Sequence, residues 1–361
     1  MSDTAIHLEV DRNDYARTRI AEQPLAELAK GQVRFRIERF ALTANNITYA
    51  VVGDMLGYWG FFPTEAGWGR VPAIGWGEIV ASAHPDVAVG GRYFGWFPMS
   101  TSIDMTVSPT ADGVRDDGEH RAPHAAVYRA YTSTDRDALY MAGADAEDRH
   151  ALLRGLFITG FLADDFFGDR DYCGASRAIV LSASSKTATG FAQCAAKRGL
   201  AEVIGVTSAR NVAFVKGLGW YDRVVVYDEV ETIPADAPAV SVDMAGDGAV
   251  LGRLHAHLGD QLRYSMIIGL SHHDAPQGAP PAHGPTPEMF FAPTQVGKRT
   301  QDWGAQGYRE RVGAALREFI DASRGWLEVK RSSGPEGSTA AWRAAHAGQV
   351  PPNVGQIVSL W

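Results

Sequence analysis

Over residues 32–41 the chain alternates apolar and charged positions, Val33-Arg34-Phe35-Arg36-Ile37, which is the period of a half-buried antiparallel strand. Glycines and prolines then crowd residues 43–93 and cut them into short strands and tight turns, predicting a small barrel-like β domain. The stretch 112–124 is polar, has no apolar periodicity, and predicts an exposed loop that could be lost cheaply. After Tyr140 the texture changes. A helical pattern over 148–167 precedes five short apolar segments, 178–182, 203–206, 224–227, 239–243 and 264–268, with helical stretches between them. Continuous apolar strands alternating with helices predict βαβ units and an α/β, doubly wound parallel sheet covered on both faces. A Pro- and Gly-rich stretch over 272–293, a helix over 308–323, and strands over 326–330 and 356–360 complete the pattern. There is no internal repeat.

The length of 361 residues, 45% of them apolar, supports two domains with real cores. We expect a first domain over 1–148, a nucleotide-binding domain over 149–289, and a return to the first domain over 290–361. Against 34 Lys and Arg stand 42 Asp and Glu, a net charge of −8, so neither nucleic acid nor an anionic membrane is an expected partner. Cys173 and Cys194 form no CxxC pair, which argues against a disulfide framework or a thiolate zinc site and fits a reducing cytoplasm. The longest apolar stretch carries Arg154, Asp164 and Asp165, too polar for a membrane span. With no secretory signal at the start of the sequence, a soluble cytoplasmic protein is expected.

Residues 177–199 read as an apolar strand, a run of small residues and an Ala-rich helix. Small residues let backbone approach a pyrophosphate, whose charge is stabilised by the free N–H groups and positive end of the helix. Ala183, Ser185 and Ala188 stand where a G-x-G-x-x-G would have glycine, and on this segment alone Ser184 or Ser185 reads equally well as a plain helix cap. The second strand ends Thr207-Ser208-Ala209-Arg210-Asn211, with no acid for a ribose 2′-hydroxyl. Hydroxyls with Arg210 suit a 2′-phosphate instead, favouring NADP over NAD. Lys186 can reach a phosphate as a point charge. The trio Ser185-Lys186-Thr187 is no P-loop, since both of its glycines are missing.

The order of segments resembles the medium-chain dehydrogenase/reductase superfamily, in its zinc-free, quinone-oxidoreductase-like branch, over most of the chain. G-Q-V-R-F-R-I-E-R-F-A-L-T-A-N-N-I looks like its opening strand, V-P-A-I-G-W-G-E-I-V its G-x-G-x-V turn, A-I-V-L-S-A-S-S-K-T-A its phosphate turn, and V-S-V-D-M-A-G its V-D-x-x-G strand end. F-F-A-P and G-Q-I-V-S-L-W resemble its closing segments, while Gly91 replaces the Asp of its V-G-D-R-V strand. The resemblance implies a Rossmann domain, a split GroES-like β-barrel-type catalytic domain, hydride transfer from NADPH, and a homodimer. It carries the phosphate turn onto Ala183, Ser184, Ser185, Lys186, Thr187 and Ala188. It puts a 2′-phosphate pocket on Ser208, Arg210, Asn211 and Tyr227, and a nicotinamide-side loop on Ile268, Gly269 and Leu270.

The zinc-dependent branch needs a catalytic Cys and a G-H-E, where this chain has Gly75-Trp76-Gly77-Glu78, so no metal is expected. No Tyr has a Lys four residues on, which excludes the short-chain reductase pattern. Tyr49 is the candidate catalytic donor, because a phenol can hydrogen-bond a developing oxyanion, and Asn46 and Tyr58 are candidate substrate contacts. Each reads also as a packed side chain with satisfied polar atoms. The aromatic residues Tyr58, Trp59, Phe61, Phe62, Trp68, Trp76, Trp96 and Phe97 either rim a cleft for an apolar or planar substrate or supply a core. His255 and His257 fall on a helix where i and i+2 point apart, and His272, His273 and Asp274 lie in Pro-rich sequence, so neither set suggests a metal. Lys298 and Arg299 either close over cofactor phosphates or lie in solvent. The expected function is a metal-free, NADP(H)-dependent reductase of a conjugated carbonyl or quinone-like small molecule, and the alternative is an NADP(H)-binding redox sensor without turnover.

Overall fold

The computed structural model describes residues 3–244, 246–268 and 281–361. The chain divides into one unit of Met1–Leu152 with Leu327–Trp361 and another of Leu153–Trp326. The return to the first unit thus comes at Leu327, after the helix Ala292–Ser323, rather than at residue 290. That helix begins well before residue 308 because Pro293 suits a first turn, and Gly304 at φ 72° absorbs a break within it.

The first unit is organised around the strand Gln32–Leu42. One edge pairs with Pro72–Ser82; the other pairs first with Ser102–Pro109 and then, at Phe40–Leu42, with Val354–Ser359. Continuing through Arg92–Pro98, Ala130–Ser133 and Gly113–Asp116, the antiparallel pairing closes back through Ser102–Pro109 into a six-stranded ring. Val33, Phe35 and Ile37 face inward; a register shift between Ile37 and Arg39 then changes phase and turns Phe40 and Leu42 inward. Phe35 packs at 5.4–5.5 Å against the rings of Tyr93, Phe97 and Tyr131. A separate three-stranded sheet holds Thr4–Asp11 between Thr18–Pro24 and Trp68–Gly69.

The 112–124 segment is not the dispensable loop its polarity predicts. It contributes the ring strand Gly113–Asp116, and Arg121 beyond it is fully buried, donating to the carbonyls of Phe61 and Tyr128. The aromatic residues mostly build the core of this unit: Phe61, Phe62, Trp76 and Phe97 are buried, and Trp68 lies under Arg17 and Arg19.

Outside the ring, Arg39, Arg92, Glu38, Glu147 and Asp148 form an ionic cluster. Burial alone would raise the Glu147 carboxyl, but hydrogen bonds from Arg92, Tyr140 and Arg39 outweigh it and hold the group at about 2. A carboxylate held below its unfolded value of 4.5 adds stability that is complete above that value and lost as pH falls towards 2. This contribution is on the order of 3 kcal/mol at neutral pH. Glu147→Gln should therefore lower the melting temperature at pH 7 and converge with the parent near pH 2, as calorimetry across that range would measure; equal losses at both pH values would contradict the assignment.

The second unit is a six-stranded parallel sheet. Numbering its strands by sequence as Arg177–Leu181, Glu202–Thr207, Arg223–Val226, Ala239–Asp243, Leu262–Ile267 and Glu288–Met289, the spatial order is third, second, first, fourth, fifth, sixth. Alternate residues feed two cores. Ala178 and Val180 pack with Phe167, Ala188 and Phe191 on one face; Ile179 and Leu181 pack with Leu251, Leu254 and Leu258 on the other. This is the doubly wound arrangement, and the reversal of strand order puts a crevice outside the carboxyl ends of the first and fourth strands.

Candidate functional site

The turn leaving the first strand starts at Ser182, a non-glycine residue in the left-handed region at φ 57°. Such a conformation costs a side-chain-bearing residue on the order of 1–2 kcal/mol, so it persists only where surroundings hold it. Ser182 is hydrogen-bonded to the Tyr227 phenol, whose burial raises its pKa and whose bond to Ser182 partly offsets the rise, leaving it at about 12. The Tyr221 hydroxyl lies 2.9 Å from the Ala183 carbonyl and 3.2 Å from that of Ala188, spanning the turn. Gly205 lets the neighbouring strand approach, since a Cβ there would lie 3.0 Å from that of Ala183 and 2.8 Å from the Tyr221 ring.

Ser185 is the cap of the helix Lys186–Arg198, its hydroxyl accepting from the Ala188 N–H at 3.2 Å. The small residues at 183, 185 and 188 thus have separate jobs: a buried wall, a cap, and a buried first turn. Lys186 is half-buried in the first turn, where desolvation pulls its ammonium down to about 8. A helix start leaves its first N–H groups without intrahelical carbonyls and carries the positive end of the helix dipole, so this turn is suited to a phosphate.

The Ser184 hydroxyl links the turn to the end of the second strand. It accepts from Asn211 Nδ2 at 3.0 Å and lies 3.4 Å from the Thr207 hydroxyl. Ser208 Oγ beside them is buried and has no hydrogen-bond partner among the described residues. Arg210 is exposed and makes no ion pair among the described residues, and residues 207–211 include no carboxylate. On the other side, Asp243 ends the fourth strand buried, accepting from the Gly246 N–H and, through its carbonyl, from that of Ile268. Ile268 packs half-buried on the core; Gly269, Leu270, His272, His273 and Asp274 lie outside the described residues.

The structure therefore brings together Ser184, Ser185, Lys186, Ser208 and Asn211, with Arg210 on the same short segment. Tyr227, expected in a 2′-phosphate pocket, is hydrogen-bonded to Ser182. Sequence reading missed Ser182 and Tyr221. Ser182 was accessible as the residue directly after the strand, where a turn glycine would stand; nothing in the local sequence marks Tyr221, which acts across the sheet.

Lys298 and Arg299 are committed elsewhere, Lys298 to Asp169 and Asp302, and Arg299 to Asp165, Asp169 and Asp302. The histidines on the helix Gly248–Leu258 diverge: His255 meets Ser265 and the His283 carbonyl, and His257 meets the Ile233 carbonyl.

In the first unit Tyr49 is buried against Tyr58 and Trp96, at 4.5 and 5.4 Å between ring centres, and its hydroxyl accepts from Asn45. Burial, then the nearby Tyr128 and Tyr58 phenols, raise its pKa well above the ordinary value, so it stays protonated. Asn46 accepts from the Thr43 N–H and donates to the Pro72 carbonyl, closing the cap of the helix Ala44–Val51. The Tyr58 hydroxyl pairs with that of Tyr128 at 3.3 Å.

Among solved structures, CurA from Vibrio vulnificus in complex with NADPH matches 94% of this chain and 93% of its own at 12% identity and a TM-score of 0.59. The yhdH oxidoreductase from Salmonella enterica in complex with NADP matches 98% and 99% at 16% identity and a TM-score of 0.56. The quinone oxidoreductase from Coxiella burnetii matches 98% and 99% at 12% identity and a TM-score of 0.52. These likenesses establish the medium-chain dehydrogenase/reductase type of fold. None of the curated proteins matches the sequence. A family model described as "Protein of unknown function (DUF2855)" matches residues 40–351, and the chain belongs to that family.

Proposed function

We propose that this protein is an NADP(H)-dependent, metal-free reductase of a conjugated carbonyl or quinone-like small molecule. The observation that carries the reading is the buried, unpartnered Ser208 hydroxyl beside Asn211 and Ser184, at the end of a strand that supplies Arg210 and no acid. A ribose 2′-phosphate would satisfy that hydroxyl and pair with the Arg210 guanidinium, while Ser184, Ser185, Lys186 and the first N–H groups of the helix would hold the pyrophosphate. When bound, NADPH supplies a hydride from its nicotinamide. The chain's own share is positioning and polarity. Tyr49, kept protonated by burial, can offer a hydrogen bond to a developing oxyanion but is too weak an acid to release its proton readily, leaving water as the proton source. Trp76, in the Gly75-Trp76-Gly77-Glu78 stretch that stands in place of the zinc branch's G-H-E, is a buried indole packed against Phe94 and His150 and offers no metal ligand. The CurA and yhdH structures with bound NADPH and NADP support the cofactor assignment; cytoplasmic location and a homodimer remain part of the proposal.

Titrating the protein with NADPH and NADH by tryptophan quenching tests this. NADPH should bind more tightly, and Arg210→Ala should weaken it by about 10- to 100-fold, the worth of a charge-assisted contact, while leaving NADH unchanged. Equal affinity for both nucleotides, or an Arg210→Ala variant that binds NADPH like the parent, would overturn it. The satisfied side chains of Asn46 and Tyr58 favour a second reading, an NADP(H)-binding redox sensor: NADPH would bind without being consumed in the presence of any enone or quinone.

A further inference from the structure

The first unit holds a further cavity, independent of the nucleotide reading, on the outer face of the strand Gln32–Leu42. Along one edge of that strand, pairing with Ser102–Pro109 ends at Arg36 and pairing with Val354–Ser359 begins at Phe40. Between them the Ile37 carbonyl accepts from the Trp361 indole N–H at 2.7 Å, and the Glu38 carbonyl from the Ser359 hydroxyl at 2.8 Å. On the other edge a register shift beside Arg34 leaves Val80 with no residue opposite it. Val80, Ala81, Leu25 and Trp361 supply the apolar lining of a cavity of about 690 Å³, a size that accepts a small molecule. Trp361 is held by its indole N–H, by its backbone N–H to Ser359 Oγ at 3.3 Å, and by its carbonyl, which accepts from the Gly334 N–H at 3.0 Å, yet it is 51% exposed. An indole whose N–H is already donated offers apolar ring surface, and a ring already fixed in place loses little freedom when a ligand packs on it.

The charged side chains on the wall select the ligand. Arg34, Arg36 and Glu38 alternate with the inward Phe35 and Ile37, and all three line the cavity. Arg34 donates to both oxygens of Asp104, at 2.7 and 2.8 Å, and Glu38 is held by Arg92 at 2.8 Å and Arg39 at 3.2 Å. Arg36 uses one Nη2–H on Glu78 at 2.5 Å; its other N–H groups have no partner among the described residues, and its side chain is half exposed. Asp3, also on the wall, makes no ion pair among the described residues but is exposed, so water already screens it. An anion would have to take Arg36 from Glu78 and would share the cavity with Asp3. A cation would find its counter-charge already in water. A neutral oxygen acceptor gains an Arg36 N–H and breaks no ion pair. Ile37, whose carbonyl holds the Trp361 indole, is the chain neighbour of Arg36, so one small molecule can reach both.

We infer that this cavity binds a neutral, planar aromatic molecule bearing an acceptor oxygen, its ring against Trp361 and its oxygen accepting from Arg36. Titrating the full chain with 1-tetralone, in the absence of nucleotide, tests this through the indole N–H resonance of Trp361, identified as the signal lost in Trp361→Phe. Tetralin serves as the counterpart without oxygen, and 2-naphthoate and 2-naphthylmethylammonium as the anionic and cationic ones. 1-Tetralone should shift the Trp361 signal to saturation. Its affinity should fall about fivefold in Arg36→Met, the worth of one hydrogen bond, and tetralin should bind the parent more weakly by a similar factor. Arg36→Met changes an exposed side chain, and its NADPH titration should match that of the parent, which separates a loss at this cavity from a loss of fold or of the nucleotide site. Both charged probes should bind more weakly than 1-tetralone. The inference is overturned if 1-tetralone at about 1 mM, the edge of specific binding, leaves the Trp361 signal unmoved, if Arg36→Met binds it like the parent, or if either charged probe binds more tightly.

Discussion

Gly160→Ala should destabilise the second unit by about 3 kcal/mol, although alanine ordinarily favours a helix interior over glycine by about 1 kcal/mol. The sign reverses because of what the added methyl meets. A Cβ at Gly160 would lie 2.6 Å from the Phe191 nitrogen and 2.6 Å from the Thr187 oxygen, both backbone atoms that no rotamer change can move aside. Gly190 on the facing helix is also close, though less so, its Cβ position 3.2 Å from the Phe157 Cα. The helices Ala144–Gly168 and Lys186–Arg198 therefore cross in backbone contact, and separating them opens the core around Phe167 and Phe191. Since Thr187 and Phe191 lie in the first turns after the Ser185 cap, the same displacement should also weaken the NADPH binding proposed above. At roughly 2–4 °C per kcal/mol for a unit of this size, the melting temperature should drop by about 10 °C. Gly252→Ala is the control: nothing lies within 4 Å of its Cβ position, so it should stabilise slightly. If both variants melt above the parent, the close crossing is wrong.

Arg121→Met should cost about 3–5 kcal/mol, the range for removing one partner of a buried ionic contact. The guanidinium of Arg121 is fully buried, donates to Phe61 and Tyr128 carbonyls, lies 3.5 Å from Asp116, and sits 4.3 and 5.0 Å from the Phe61 and Phe62 ring centres. Burial lowers its pKa, but a guanidinium stays charged at neutral pH. Methionine fills similar volume and leaves two carbonyls without donors and Asp116 without its cation. Arg121→Lys should rescue little, because one ammonium cannot reproduce the planar fork that reaches both carbonyls. Thermal unfolding by circular dichroism measures both; a loss below about 1 kcal/mol for Arg121→Met, the size of a surface change, would show that the segment 112–124 is peripheral after all.

The contrast between Arg121 and the parallel strands shows where sequence reading works. The five apolar segments from residue 178 onward are each continuous because a doubly covered strand must be apolar on both sides, so local composition reports the tertiary environment directly. Residues 33–37 report theirs as faithfully, because one buried face imposes a period of two. Arg121 reports the opposite of its surroundings. Its charge predicts solvent, and only the Phe61 and Tyr128 carbonyls, brought up from other segments, make burial affordable.

The same division runs through the candidate site. The strand, small-residue turn and helix at 177–199, and the acid-free end of the second strand, are legible because chain neighbours make them and a phosphate-binding turn is a local device. That Ser182 takes the left-handed conformation, that Tyr221 spans the turn, and that Ser208 is left without a partner were decided by packing between segments distant in sequence. Backbone propensity and hydrophobic period act over a few residues and are written in them; the partner of a buried polar atom is set by which strands and helices pack together, and no single segment holds that information.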